Sequence, residues 1–361
     1  MRTFQNFGLY SAYRNRFNLL AACENTFSKR IACFKKDGFG AAHRLIPPTE
    51  KTQDIFFTNG DDEHGQRMWA RQHGMHRQAT LQEILLAQIE AHQTEIFYNL
   101  DPVRFPSSFI AKLPGCVKKS IAWRAAPSQG SDFSAYSLVV CNFPSLLTQM
   151  NCDGCSTAYF SPAHDALLDP FAQNENRPID VAFVGGYSRH HQRRGKLLEV
   201  ISESGERFTC EFYLNQSRST RLAESVFGRM LPLESYRRPR NIRRIAHEPV
   251  FGVELLSVLS RSKIVLNGAI DMAGEDRGNM RCFEALGCRS LLLTDAGKYP
   301  EGMVNNQTMV TYKDPNDALS AIERILSDWP RHERIANDGY SMIVSNYSKK
   351  NQWDSFVSLV G

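Results

Sequence analysis

Short apolar runs alternate with helix-patterned segments along most of this chain. That alternation leaves few folds open, because it is the signature of parallel strands joined by crossover helices. In the first half the strand candidates are residues 54–59 (DIFFTN), 95–99, 119–125, 136–142 and 156–160. Between the first two, Thr80 and Glu83 have capping-box spacing, and Leu81, Ile84, Leu85 and Ile89 line one helical face. A polar, proline-punctuated stretch at 169–180 (DPFAQNENRPID) interrupts the pattern and marks a domain boundary. The pattern restarts with a strand at 180–186 and a basic helix at 190–202. A strand at 208–214, an arginine-rich segment at 218–244, a helix at 250–262 and a strand at 263–267 follow. A strand near 308–312 and a helix opened by Asp314 and Pro315 complete the second half.

At 361 residues the chain exceeds the ~250–300 at which one core stops growing, so two α/β domains are expected. The formal charge of +5 is a weak excess that suits an anionic small ligand and does not by itself imply nucleic acid. No stretch approaches the ~18 uninterrupted apolar residues of a membrane span, and the N-terminal residues lack the apolar region of a signal peptide. Nine cysteines, an odd number spread from Cys23 to Cys288, read as reduced thiols and a cytoplasmic protein. The lone pair Cys152 and Cys155 has no second pair to complete a zinc set and is read as packing.

The chemistry concentrates in residues 274–295, GEDRGNMRCFEALGCRSLLLTD. Asn279 is placed to cap a short helix over 280–286, and Gly287 to end it. Such a helix would begin at the carboxyl edge of the sheet, where open α/β sheets bind ligands and a helix N-terminus favours phosphate. Glu284 lies one turn in, and Asp276 stands before it with seven residues between them. A carboxylate offers two acceptor oxygens to two vicinal hydroxyls. The alternative is an ordinary helix glutamate.

An acid, seven residues and a Glu on a short helix resembles the E-x7-E signature of glycosyltransferases with two Rossmann-like domains facing each other across a cleft, the GT-B architecture. "SKIVLN", "GNMRCFEALGCRSLLLTD", "DVAFVGGYSRHHQRR" and "STAYFSPAHDALLDPF", which holds Asp165, resemble the CgeB-like members of that group. The likeness is good over 136–345 and faint before 95. Two positions depart from the pattern: Ala269 stands where the family often carries His, and Asp276, beside Glu275, replaces the first Glu.

The resemblance implies an N-terminal acceptor domain over 1–170, a nucleotide-sugar domain over 178–345, and a helix over 346–361 returning to the N-terminal domain. It implies that Glu284 receives the ribose hydroxyls, that Gly278 and Asn279 meet the phosphates, and that Asp276 lies toward the sugar as a catalytic residue. Asn267, Asp271 and Arg281 join that nucleotide-sugar set. Gly185 and Gly186, after the first strand of the second half, let a ligand approach the backbone. Arg189, His190 and Arg193 follow with donors for a pyrophosphate. In the first half, Asp61, Asp62, Glu63 and His64 follow a strand. Asp61 and His64 are candidates for acceptor binding or for general-base work, with an acidic turn of no role as the alternative. His164 is a further candidate.

No metal and no cofactor beyond the nucleotide-sugar donor is implied, since developing charge on the leaving diphosphate is met by helix N–H groups and arginines. The expected reaction is transfer of a sugar to a hydroxyl on a glycan or lipid-linked acceptor, in cell-surface polysaccharide assembly. The arginine-rich segment over 236–248 suits an anionic acceptor or the inner membrane face bearing one, through peripheral association. Two other functions stay open: a nucleotide-sugar epimerase or hydrolase, and a catalytically silent binding subunit.

Overall fold

The computed structural model describes all residues except 49–53, 129, 188–191, 205–206 and 269–273, and the side chains of 229 and 235. The chain divides into two units. The first comprises Met1–Ala163, Met272–Asp276 and Lys349–Gly361; the second comprises His164–Asp271 and Arg277–Ser348.

The first unit holds β1 (Thr3–Asn6), α1 (Ser11–Leu20), α2 (Phe27–Asp37), β2 (Ile55–Thr58), α3 (Glu63–Gln72) and α4 (Leu81–Ala91). It continues with β3 (Ile96–Asn99), α5 (Ser107–Ile110), β4 (Lys119–Trp123), β5 (Leu138–Cys141), α6 (Pro144–Cys152) and β6 (Thr157–Tyr159). The strands form one parallel sheet in the order β2-β1-β3-β4-β5-β6. Both faces are covered, and alternate residues supply them. Phe97, Ala122 and Val139 turn to one side with Leu85, Ile89 and Phe109, while Tyr98, Ile121 and Val140 turn to the other with Leu146 and Phe160. The terminal helix, Lys349–Val360, closes that second face: Phe356 is fully buried with its ring 5.3 Å from Tyr98. The capping box read at Thr80 and Glu83 is present at the start of α4.

The second unit holds α7 (Asp169–Ala172), β7 (Ile179–Gly186), α8 (Gln192–Glu203), β8 (Cys210–Asn215), α9 (Arg218–Glu224), α10 (Arg240–Ile245) and β9 (Ala246–His247). After these come α11 (Gly252–Ser260), β10 (Ser262–Leu266), α12 (Met280–Gly287), β11 (Leu291–Asp295), β12 (Val310–Tyr312), α13 (Pro315–Ser327) and α14 (Trp329–Asn346). Its parallel sheet runs β12-β11-β10-β7-β8-β9. The chain builds outward from β7 in one direction and returns to β10 to build in the other, so the order reverses between β7 and β10. One face packs Val181, Phe183 and Leu266 under Leu197, Leu198 and Ile201 of α8. The other packs Val265 and Leu292 under Phe283 and Leu286 of α12 and Ile343 of α14. Each unit is therefore Rossmann-like. The first ends at Ala163, short of the expected 170, because Leu168 is buried among Leu255, Leu256 and Leu259 of the second unit.

Among the described residues no helix is long and apolar enough to cross a membrane.

Candidate nucleotide-sugar site

The site reads outward from the carboxyl ends of β7 and β10. Gly185 and Gly186 are the last residues of β7 and pair with Leu214 and Asn215 of β8. A Cβ on Gly185 would press on the Phe183 ring at 3.0 Å, whereas one on Gly186 would meet nothing within 4 Å. Gly186 thus leaves open room at the strand end, which is what a close-lying ligand needs.

β10 is followed by Asn267, whose buried side chain organises this edge. Its Nδ2 donates to Thr294 Oγ1 at 3.1 Å, its Oδ1 accepts from Asn279 Nδ2 at 3.2 Å, and its carbonyl accepts from the Tyr312 hydroxyl at 2.7 Å. One residue thereby ties the end of β10 to β11 and the start of α12 through its side chain, and to β12 through its backbone carbonyl. Next in sequence, the Gly268 carbonyl accepts from Arg194 Nη2 at 2.7 Å. Arg194 also lies over the Phe183 ring, 5.9 Å from its centre.

Gly278 precedes α12 at φ 109°, a backbone region that favours glycine. Asn279 occupies the helix N-cap position in an extended conformation, but its side chain makes no capping bond. That corrects the expected cap: the amide turns to Asn267 instead, and Sγ of Cys282 donates to its Oδ1. Gly287 is corrected as well. It is the last helical residue and not the left-handed terminator, which is Arg289 at φ 56°. A Cβ on Gly287 would lie 2.6 Å from Leu168, so close packing explains this glycine. Arg277 is tied in by Nε, which donates to Asp295 Oδ2 at 2.5 Å, and by its N–H, which donates to the Lys298 carbonyl.

Glu284 sits one turn into α12 and is 8% exposed. Burial pushes its carboxyl above the usual range, and the Arg281 guanidinium beside it pulls the other way. Arg281 Nη1 donates to its Oε2 at 2.6 Å. Among the described residues only Arg281 donates to this carboxylate, so Oε1 keeps its acceptor capacity. A buried acid on a polar sheet edge, oriented by one arginine, is equipped to receive hydroxyl donors.

Asp276 is placed otherwise. It belongs to the first unit, where its Oδ2 accepts from both the N–H and the Oγ of Ser145 at 2.6 Å. Ser145 lies in the first turn of α6, whose N-cap, Phe143, supplies no side-chain bond. Asp276 therefore serves as the missing cap from a distance in sequence.

The acceptor-side candidates separate by burial. Asp61 is buried: its Oδ1 accepts from the Leu9 N–H at 2.9 Å, and its Oδ2 from Arg14 Nη2 at 2.5 Å. Burial raises its carboxyl above the usual range against the pull of the Leu9 N–H and Arg14. Asp62 caps α3 and pairs with buried Arg30, whose Nη2 donates to Oδ1 at 2.9 Å. Glu63 and His64 are exposed in the first turn of α3. Asn6, Asn99 and Gly60 close this carboxyl edge through the Asn6 side chain: its Nδ2 donates to Asn99 Oδ1 and its Oδ1 accepts from the Gly60 N–H. His164 is a packing residue, with Nε2 2.8 Å from Asp169 Oδ1, and Asp165 caps the turn over Ala166–Leu168.

Thus Gly185, Gly186, Asn267, Gly278, Asn279, Arg281 and Glu284 fall on the strand ends, loops and helix start of the second unit's carboxyl edge, whereas Asp276 groups with the first unit. Arg193 is exposed on α8. Arg189, His190, Asp271 and Ala269 lie outside the described residues. The reading missed Arg277, Thr294 and Tyr312; it counted Arg194 with Arg189, Arg193 and Lys196 as positive charge for a pyrophosphate, whereas Arg194 bonds to the Gly268 carbonyl. Arg194 lies three, four and seven positions before Leu197, Leu198 and Ile201, and so on the face of α8 that packs on the sheet.

Comparisons with known proteins agree with this architecture. Residues 193–358 match the family described as glycosyl transferase-like. No curated protein matches the sequence. The Anabaena protein HepE, solved in complex with UDP and glucose, superposes with a TM-score of 0.59 at 12% identity, covering 100% of this chain and 99% of that one. The sucrose-phosphate synthase of Thermosynechococcus elongatus superposes at 0.55 with 10% identity, covering 100% and 98%. A glycosyltransferase of Rickettsia africae gives 0.53 at 12%, covering 99% and 97%. The fold is that of GT-B glycosyltransferases, and residues 193–358 are similar to the glycosyl transferase-like family.

Proposed function

We propose that this protein is a glycosyltransferase, related to the CgeB-like enzymes, that moves a sugar from a nucleoside diphosphate to an acceptor hydroxyl. The observation that carries the reading is Glu284: a buried carboxylate held by Arg281 on a short helix at the carboxyl edge of a switch-point sheet. In this reading its oxygens accept the ribose hydroxyls, and Gly278 and Asn279 lie against the diphosphate. Gly185, Gly186 and Arg193, with Arg189, His190 and Asp271, complete the donor set. UDP-glucose is the first donor to test, since HepE is solved with UDP and glucose.

The bond from the anomeric carbon to the phosphate oxygen breaks, and the acceptor oxygen bonds to that carbon. The nucleoside diphosphate leaves, and the acceptor proton passes to His64, exposed in the first turn of α3. Asp61, bonded to Leu9 and Arg14, positions that edge. Asp276, which caps α6, is the acid that this reading assigns to the sugar. The acceptor is a glycan or lipid-linked hydroxyl at the inner membrane face, in cell-surface polysaccharide assembly.

The test is release of nucleoside diphosphate from a panel of nucleotide sugars, with and without glycan acceptors. Acceptor-dependent release supports transfer. Release of free sugar regardless of acceptor, or no release from any donor, contradicts it.

A further inference from the structure

The crossover from β8 to β9 carries a feature that sugar transfer does not use. Within residues 216–247 stand eight arginines and two glutamates, a net +6, against +5 for the whole chain. The rest of the chain is therefore net −1, and the entire positive surplus resides in this one crossover. Beside that charge, Val226, Phe227 and Met230 are 75%, 76% and 77% exposed, with Leu222 and Leu231 about half exposed.

These apolar side chains are held outward by a built scaffold. The buried Arg238 grips Glu224, Nε to Oε1 at 2.9 Å and Nη2 to Oε2 at 2.6 Å. Arg237 donates to the carbonyls of Ala223, Gly228 and Leu231. Gly228 lies so close to the Leu222 carbonyl that a Cβ there would sit 1.7 Å from its oxygen. The 3₁₀ turn Gly228–Met230 is thereby pinned on α9, with Phe227 and Met230 projecting. Arg218, Arg221 and Arg240 are exposed on the same crossover and pair with no acid among the described residues.

We infer that this crossover is a membrane-docking surface for an anionic bilayer, in which Phe227, Met230 and Val226 enter the headgroup region and the arginines meet lipid phosphates. Exposed apolar side chains on a segment that also exposes Arg218, Arg221 and Arg240 fit an interface that is apolar below and negative above. A second copy of the chain fits poorly, because a two-fold contact over this patch would face +6 with +6. The inference gives the membrane-side placement proposed above a specific surface. It does not depend on sugar transfer, because docking is read without donor or acceptor.

The test is sedimentation of the full chain with vesicles of phosphatidylcholine, with and without phosphatidylglycerol. The wild type is expected to bind only the anionic vesicles, with partitioning that falls as salt is raised. Arg218→Gln with Arg221→Gln should weaken partitioning about 30-fold, at ~1 kcal/mol for each arginine near the surface. Phe227→Ser with Met230→Ser should weaken it about tenfold or more while leaving the unfolding temperature unchanged, since both are exposed. Equal binding to both vesicle types, or anionic-vesicle binding that survives both pairs of substitutions, would overturn the inference. So would a dimer in solution that the Phe227→Ser, Met230→Ser variant abolishes. Vesicle binding without sugar transfer would leave docking intact and remove the transferase reading; transfer without vesicle binding would do the reverse.

Discussion

Arg281 and Glu284, one turn apart on α12, share a hydrogen bond of 2.6 Å from Nη1 to Oε2. Burial raises the Glu284 carboxyl, and the arginine offsets part of that rise. A carboxyl raised by burial contributes full stability below its unfolded range, and that contribution is lost as pH rises through its folded value. Ionising Glu284 therefore costs stability. Glu284→Gln should unfold at or above the wild-type temperature at neutral pH, with the gap closing as pH falls below the ordinary glutamate range. Thermal unfolding of both proteins across that range reads it directly. A destabilised variant at neutral pH would mean that the carboxylate holds the helix together.

Removing Arg281 has the opposite consequence for binding. In Arg281→Ala the Glu284 carboxyl rises further, so nucleotide affinity should begin to weaken with falling pH at a higher pH than in the wild type. Titrations at several pH values compare the slopes of variant and wild type, and parallel slopes would sink the coupling.

Asp276 joins Ser145 through two bonds of 2.6 Å at the start of α6. Asp276→Ala should cost about 1–2 kcal/mol, the worth of a helix cap. Nucleoside diphosphate affinity should change little while turnover falls. Calorimetry beside thermal unfolding separates the two. Loss of affinity with unchanged stability would place Asp276 among the nucleotide contacts.

On the acceptor side, Asp61→Asn leaves both the Leu9 N–H and Arg14 with a poorer acceptor and should destabilise by about 1–3 kcal/mol through those bonds. His64 is exposed, so His64→Gln should leave unfolding unchanged while lowering kcat by ~100-fold or more if it takes the acceptor proton. An unchanged kcat in His64→Gln would assign the proton elsewhere.

The two-sheet plan was legible because buried parallel strands are written as apolar runs: 95–99, 180–186 and 263–267 recur within a residue or two as β3, β7 and β10. β1 was not legible. Thr3, Gln5 and Asn6 are buried polar residues in a strand flanked on both edges, and their bonds to distant partners, such as Gln5 Nε2 to the His43 carbonyl, leave no local trace. Glu284 stood out by its spacing. Asn267 with Asn279 and Arg194 with Gly268 are pairings across 12 and 74 positions, which only the folded sheet edge brings together. The cap at Asn279 misled because an asparagine side chain satisfies a neighbouring amide as readily as a helix N–H.

Arg194 gives that edge its own test. Its bond to the Gly268 carbonyl ties α8 to the end of β10. Arg194→Ala should weaken nucleoside diphosphate binding by about 1.5–3 kcal/mol, the worth of a hydrogen bond to a charged group. The loss for the bare nucleoside should be smaller. Equal losses for the two ligands would show that the arginine only supports the fold.

The central claim, that Glu284 receives the donor ribose, is tested most directly by calorimetry of Glu284→Gln with whichever nucleoside diphosphate the wild type binds tightest. Gln keeps the shape but gives up the charge and one acceptor. Affinity is predicted to fall about 10- to 100-fold, from ~1.5–3 kcal/mol for a charged hydrogen-bonding group. An unchanged dissociation constant in a variant that unfolds like the wild type would contradict the account and leave Glu284 a buried helix glutamate.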